Sequence, residues 1–361
     1  MAINEITSEL AKTKEEQEQW NNFLANTKLC PLAQSVDWGE FKKISNWKPL
    51  IILLKKNNKI IGGVQILKRK IPFLAKSIFY APRGPVLDFH NKELLAVLID
   101  KTKELAQKHK AIVLKIDPEI EEDDKITKEN LENFGFKFRK KQIQPRATFF
   151  VDLTRELDDI LMSFKSKHRY NIRLSGRKGI EVKMMTDKEG VEIFYNILQE
   201  TASRDSFIIH SKRYYERIIN LMSDKDMIKI FVAFYKNKPL AAVYIFCFGD
   251  KIWYMYGASS SEHRNRMPNH AIHWEVIKWA KAQGYKIYDL WGIPVKPKPE
   301  HPLFGVYRFK KGFKGEKKVF IGMHDLVFNV FWYKFFNKSV KTYTNIRSLL
   351  KKGKISDSLE E

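Results

Sequence analysis

Residue types able to do chemistry concentrate late in the chain, where Tyr307-Arg308-Phe309-Lys310 alternates rings with cations and Lys311-Gly312-Phe313 follows directly. Read as a strand, this run puts Tyr307 and Phe309 on one side and Arg308 and Lys310 on the other. An aromatic face beside a cationic face suits a substrate that carries both rings and phosphates. A basic edge strand over a core is the plainer alternative. Just upstream, residues 287–293 form an apolar run stopped by Gly292 and Pro294, which reads as a buried strand. Pro294, Pro297, Pro299 and Pro302 then predict an irregular loop crossing the mouth of a cleft. A second group of cations lies mid-chain: helical spacing puts Lys165, Arg169 and Arg173 on one stripe, with Arg177 and Lys178 just beyond. Such a stripe suits a phosphate backbone, with binding that weakens as salt rises, or is simply a solvated helix face.

Several chemistries lack support. None of the nine histidines belongs to an HExxH motif; His270 and His273 stand three apart, but Pro268 separates them from His263 and Glu275 is the only close carboxylate. A surface or packing role is predicted for them, and no metal site. There is no GxSxG elbow, no Walker loop and no GxGxxG after a strand. Lys plus Arg is 65 against 42 for Asp plus Glu, a formal charge of +23. That excess favours polyanionic partners: nucleic acid, phosphorylated metabolites or an anionic membrane face. Cys30 and Cys247, the only cysteines, have no metal-ligand spacing and fit a reducing compartment. Residues 1–10 carry no secretory pattern and no apolar run approaches bilayer length, so a cytoplasmic protein is predicted.

The elements that must position these residues come in two copies. In the first half, residues 13–24 read as a helix, 34–42 as a short amphipathic turn or helix, and residues 49–54 as a strand. Asn57-Asn58 is a turn, and residues 60–67 and 77–80 are strands. Residues 92–109 form a helix and 111–116 a closing strand. In the second half, residues 228–235 are a strand, Asn237-Lys238 a turn, and residues 240–248 and 251–256 strands. Residues 270–283 are a helix and 287–290 the closing strand. Asn58 matches Asn237 at an offset of 179, Tyr80 matches Tyr256 at 176 and Asp117 matches Asp289 at 172. Three landmarks in one order at nearly one offset indicate an internal duplication and predict two α/β (α+β) domains with mixed sheets. The boundaries are drawn at 1–150, 151–325 and a tail over 326–361.

In the tail, Val327, Phe328, Phe331, Trp332, Phe335 and Phe336 recur at helical spacing, followed by Lys334, Lys338, Lys341, Arg347, Lys351 and Lys352. Such a helix either packs on the protein's own core or lies in a membrane interface.

Six motifs in order over residues 34–320 carry a resemblance: Gln34-x-x-x-Trp38-x-x-x-Lys42, Tyr80-Ala81-Pro82-Arg83-Gly84-Pro85, Leu114-Lys115-Ile116-Asp117-Pro118-Glu119, Trp253-Tyr254-Met255-Tyr256-Gly257-Ala258-Ser259, Tyr288-Asp289-Leu290-Trp291-Gly292-Ile293 and Tyr307-Arg308-Phe309-Lys310-Lys311-Gly312-Phe313. The chain resembles the Fem family of peptidoglycan-bridge aminoacyltransferases (FemA, FemB and FemX). Its layout is closest to FemX, because no extended heptad segment lies between Arg204 and Lys229. The resemblance implies two tandem acetyltransferase-like (GNAT-like) domains. Acetyl-CoA enzymes of that fold hold pyrophosphate on a glycine-rich loop; here Arg264-Asn265-Arg266-Met267-Pro268-Asn269 lacks the glycines, and Pro268 removes an N–H. No cofactor is expected.

The resemblance further implies transfer of an amino acid from aminoacyl-tRNA to the stem-peptide side-chain amine of a peptidoglycan precursor, either lipid II or UDP-MurNAc-pentapeptide. Lys310 then stabilises the oxyanion of the tetrahedral intermediate, and Phe309 packs beside the terminal adenosine or the acceptor. Lys42, Asp117, His210, Tyr214 and Tyr256 fall on positions resembling the precursor groove, with Arg308 a further substrate contact on the cationic face. An arginine stands at the family position of His210, so Arg204 or Arg213 is expected to take its phosphate. Asp117 either touches substrate or caps a strand end. Arg169, Arg173 and Lys178 are the expected tRNA-phosphate contacts. Peripheral contact with the inner membrane leaflet would bring a lipid-linked acceptor within reach. A CoA-dependent N-acyltransferase and a non-enzymatic RNA- or membrane-binding protein are the competing readings.

Overall fold

A computed structural model of the chain describes residues 5–339. The strands are β1 (Thr7–Leu10), β2 (Lys48–Lys56), β3 (Lys59–Lys70), β4 (Ser77–Ala81), β5 (Ala111–Ile116), β6 (Lys137–Phe138) and β7 (Ala147–Asp152). They continue with β8 (Glu181–Met185), β9 (Ile228–Tyr235), β10 (Lys238–Phe248), β11 (Lys251–Ser259), β12 (Ile287–Asp289), β13 (Glu316–Val319) and β14 (His324–Val327). Two sheets result, ordered β1-β2-β3-β4-β5-β14-β6 and β8-β9-β10-β11-β12-β7-β13.

The second order repeats the first position by position. In each sheet the first four strands pair antiparallel and the fourth pairs parallel with the fifth, β4 with β5 and β11 with β12. A parallel pair needs a long crossover, supplied here by the helices Lys92–His109 and Pro268–Ala282. Both hairpins turn on two left-handed residues, Asn57 and Asn58 in one copy, Lys236 and Asn237 in the other. The second turn therefore sits one residue before the Asn237-Lys238 expected from sequence, and Lys238 already belongs to β10.

In the first unit the helix Lys92–His109 is capped by the Asn91 side chain, which accepts from the N–H groups of Glu93 and Leu94. It buries Leu94, Leu95, Leu98, Ile99 and Leu105 against Ile52, Leu54, Ile66 and Phe79 of the sheet, each such side chain contributing about 1.5–3 kcal/mol. In the second unit residues 240–247 of β10 are buried on both faces, the signature of a central strand covered by helices.

The boundaries differ from those drawn on the sequence. One unit comprises the chain up to Arg146 together with the chain from Val319 onward, and the other is Ala147–Lys318. β14 takes the place beside β5 that β7 takes beside β12, so the last strand of each copy has been exchanged. The segment drawn as a separate tail begins inside the first core, and its helix takes the first of the two expected placements, packed on that core. Asp325 on β14 receives the Lys115 ammonium at 2.8 Å and the Tyr333 hydroxyl at 2.5 Å. The backbone is helical over residues 330–339, where Tyr333, Trp332 and Phe336 pack with Ile71, Ile78, Ile112 and Val113. Lys341, Arg347, Lys351 and Lys352 lie outside the described residues.

Candidate active site

The Lys310 segment is the helix Phe304–Lys310, not the strand expected from its alternation. Helical geometry leaves Arg308 exposed and turns Lys310 inward, only 6% accessible. Gly312 follows because a Cβ there would fall 1.9 Å from the His168 ring, so only glycine permits this approach.

Lys310 meets the end of β12. Asp289, the last residue of that strand, accepts from the Thr148 hydroxyl at 2.5 Å and from the Trp291 N–H at 2.8 Å, with the buried Lys251 ammonium 3.3 Å away. This carboxylate holds Trp291 in a left-handed conformation, φ 58°. The bend directs the carbonyls of Trp291 and Gly292 to the Lys310 ammonium, which donates to both at 3.0 Å. The Tyr254 ring lies 5.3 Å from the same nitrogen. Burial pulls the Lys310 pKa down to about 7, with Asp289 pulling the other way. A cation held by two neutral carbonyls keeps a further N–H for an oxyanion and can change protonation near neutrality.

Phe309 anchors an imidazole cage. Its ring centroid lies 5.6 Å from His168, 5.2 Å from His270 and 5.3 Å from His273, and its carbonyl accepts from His168 Nε2 at 2.9 Å. His270 Nε2 faces the Asn171 amide at 3.2 Å and His273 Nδ1 the Tyr288 hydroxyl at 2.8 Å. Burial lowers His270 to about 3 and His273 far below its ordinary value, so both stay neutral and act as packing groups. No cluster of metal-binding groups occurs among the described residues. The cage is legible in sequence only as two histidines one turn apart on a helix.

Beside this lies a tyrosine wall. The Tyr214 and Tyr256 hydroxyls are 3.0 Å apart, and His210 stacks on Tyr214 at 3.9 Å and 15°. Tyr215 and Tyr244 pack edge-on behind them, two members that sequence reasoning missed. Gly257 admits the Tyr254 hydroxyl, which a Cβ would meet at 2.1 Å. Arg204 donates to the Ser259 carbonyl at 2.8 Å and to both Asp205 oxygens. Its guanidinium is thus anchored locally.

The mid-chain cations are placed differently from one another. Arg169 donates to the carbonyls of Met162 and Phe164 and so caps the preceding helix. Lys178 reaches the Asn265 carbonyl at 3.3 Å, whereas Arg173 is exposed. In the loop before Pro268, the N–H groups of Arg266 and Met267 are spent on the carbonyls of His263 and Arg264. Pro268 has none, so this helix start offers no run of open amides to a pyrophosphate.

In the first unit, Lys42 lies over the rings of Trp38 and Phe41 at 4.6 and 4.7 Å, and burial lowers its pKa to about 8. Asp117 directly follows β5, accepting from the Tyr80 hydroxyl at 2.7 Å and the Arg83 N–H at 2.6 Å. Burial raises its pKa to about 6, partly opposed by Arg83.

Two mixed sheets of matching order, with a buried lysine at the end of a parallel strand pair, define a tandem fold of the GNAT type. An acetyltransferase (GNAT) domain profile matches residues 162–311, and the FemAB family profile matches residues 15–234, more than half of the chain. The chain belongs to the FemAB family. It is 26% identical to the lipid II:glycine glycyltransferase of Staphylococcus epidermidis over 86% of this chain and 91% of that one. It is 28% identical to that of Staphylococcus aureus over 82% and 88%. A crystal structure of FemX superposes with a TM-score of 0.84 at 25% identity, covering 91% of this chain and 99% of that one.

Proposed function

We propose that the protein transfers an aminoacyl group, glycyl by analogy with its relatives, from aminoacyl-tRNA to the stem-peptide side-chain amine of a peptidoglycan precursor. The observation that carries this reading is the Lys310 ammonium, buried and hydrogen-bonded to the neutral carbonyls of Trp291 and Gly292. The neutral amine attacks the ester carbonyl; a C–N bond forms and the carbonyl oxygen takes up the displaced electron pair. Lys310 donates to that oxyanion. As the C–O bond to the ribose breaks, the proton released by the attacking nitrogen goes to the departing oxygen. Phe309 packs against the donor's terminal adenosine. Tyr214, Tyr256, His210, Arg308, Lys42 and Asp117 are proposed acceptor contacts, each testable singly, with Arg204 a weaker one because of its local anchoring. Arg173 is the proposed tRNA-phosphate contact, with Lys178 and Arg169 secondary.

The relatives' names favour lipid II over UDP-MurNAc-pentapeptide as acceptor, met at the cytoplasmic face of the membrane. No helix among the described residues is long and apolar enough to cross a bilayer. The test is to incubate the protein with glycyl-, alanyl- or seryl-tRNA and either precursor, then weigh the products. One added glycine residue on the precursor is expected. Acylation from acetyl-CoA with none from charged tRNA would overturn the reading in favour of a coenzyme-dependent N-acyltransferase.

A further inference from the structure

The first unit carries an apolar surface that its own core does not use. At the tip of the β3–β4 hairpin Phe73 is fully exposed, at 107% accessibility. Its φ is 61°, a conformation that turns give to Gly or Asn and that is costly for a bulky side chain. Beside it, the helical residues 330–339 bury Tyr333 but present Val330, Phe331 and Phe335 to solvent. Hairpin and helix are one surface: Ile71 and Leu74 pack with Tyr333, Trp332 and Phe336, and the Lys76 ammonium lies 5.6 Å over the Trp332 ring. Cations surround the rings. Arg69, Lys70, Lys334 and Lys338 are exposed, and an adjoining groove of about 540 Å³ is lined by Lys76, Lys103 and Lys110 with no carboxylate among its lining residues.

From this we infer that the β3–β4 tip and helix 330–339 form a docking face for an anionic phospholipid bilayer, with the Phe73, Phe331 and Phe335 rings entering the interface and the lysines meeting lipid phosphates. Exposed rings flanked by lysine are what such an interface rewards, through apolar burial and attraction to anionic headgroups together. A protein partner of the same chemistry would need a dense acidic rim around an apolar cup, whereas an anionic leaflet supplies both without a specific shape. The inference takes from the proposed function only the choice of leaflet.

The test is co-sedimentation of the full chain with phosphatidylglycerol-rich and with pure phosphatidylcholine vesicles, alongside transfer from charged tRNA to lipid II dispersed in detergent. The triple variant F73A/F331A/F335A should lose about tenfold or more in partitioning to the anionic vesicles. K76Q/K103Q/K110Q should lose roughly fivefold per lysine, and only on anionic vesicles. Transfer to the detergent-dispersed acceptor should be unchanged in both. F73D, confined to a hairpin tip, serves if the triple variant melts early. Wild-type chain that ignores the anionic vesicles, variants that sediment like wild type, or a self-association abolished by the same substitutions would each overturn the inference. Wild-type chain that transfers nothing from charged tRNA to the dispersed lipid II would instead overturn the proposed function and leave this surface standing.

Discussion

Replacing Lys310 by methionine keeps the length of the side chain while removing its charge and its donors. Two consequences follow from its position. Removing one preorganised oxyanion donor slows acyl transfer by about 10²–10³-fold, and K310M should show a loss of this size in the initial rate of transfer from charged tRNA. The second consequence is a pH dependence. A pKa of about 7 for Lys310 means that its donor form is lost as pH rises through neutrality, while the attacking amine gains its free form over the same range. The product of the two fractions climbs with unit slope below pH 7 and flattens above it. K310R, whose guanidinium remains charged, should restore some rate and abolish the break. The stability effect has the opposite direction. The folded-state pKa lies below the unfolded value, so between about pH 7 and 10 the unfolded chain binds the extra proton and stability rises with pH. Melting temperature should climb over that window in the wild type and climb less in K310M. A K310M enzyme within tenfold of wild type, or a pH profile whose break survives in K310R, would refute the assignment.

Other substitutions separate the remaining roles. Y256F removes one hydroxyl of a 3.0 Å pair; acceptor KM should rise by about tenfold, matching one hydrogen bond of about 1.5 kcal/mol, with donor KM unmoved in steady-state assays. R173A should weaken tRNA binding and lower the slope of log affinity against log salt by about one. R169A, by contrast, should lower the melting temperature, because the carbonyls of Met162 and Phe164 lose their donor. D325A strands the Lys115 ammonium and the Tyr333 hydroxyl, and denaturant titration should show a loss of about 3–5 kcal/mol.

The duplication was legible because each copy punctuates its strands with left-handed turn residues and a helix of clean period, at Asn57-Asn58 and over Lys92–His109. What escaped reading was whatever depends on contacts distant in sequence. Tyr307 to Lys310 alternates ring and cation and so mimics a strand, yet Phe304, Tyr307 and Lys310 are also three apart, and packing selects that second period. β14 is four residues long, too short to announce itself, and nothing local says that it pairs with β5 more than two hundred residues earlier. The histidine cage has the same cause. His168 sits in a basic helix, and only the absence of a side chain at Gly312 brings it to Phe309.

The two copies also bear on Asp117. At the end of the fifth strand of each sheet a buried carboxylate accepts the N–H of a left-handed residue that is not glycine: Asp289 holds Trp291, φ 58°, and Asp117 holds Arg83, φ 55°. The shared task is therefore to fix a strained turn. A substrate role for Asp117 has to come from its charge, since its geometry is accounted for. D117N separates the two contributions, because its amide oxygen still accepts from the Arg83 N–H and its amide NH2 can donate to the Tyr80 hydroxyl, while the charge is gone. If Asp117 holds the acceptor's ammonium, D117N should raise acceptor KM by at least about tenfold, the worth of a charged hydrogen bond of 1.5–3 kcal/mol, at unchanged melting temperature. The wild-type acceptor KM should also worsen as pH falls through about 6, and D117N should not show that dependence. A D117N enzyme with wild-type KM at every pH would confine this carboxylate to the turn.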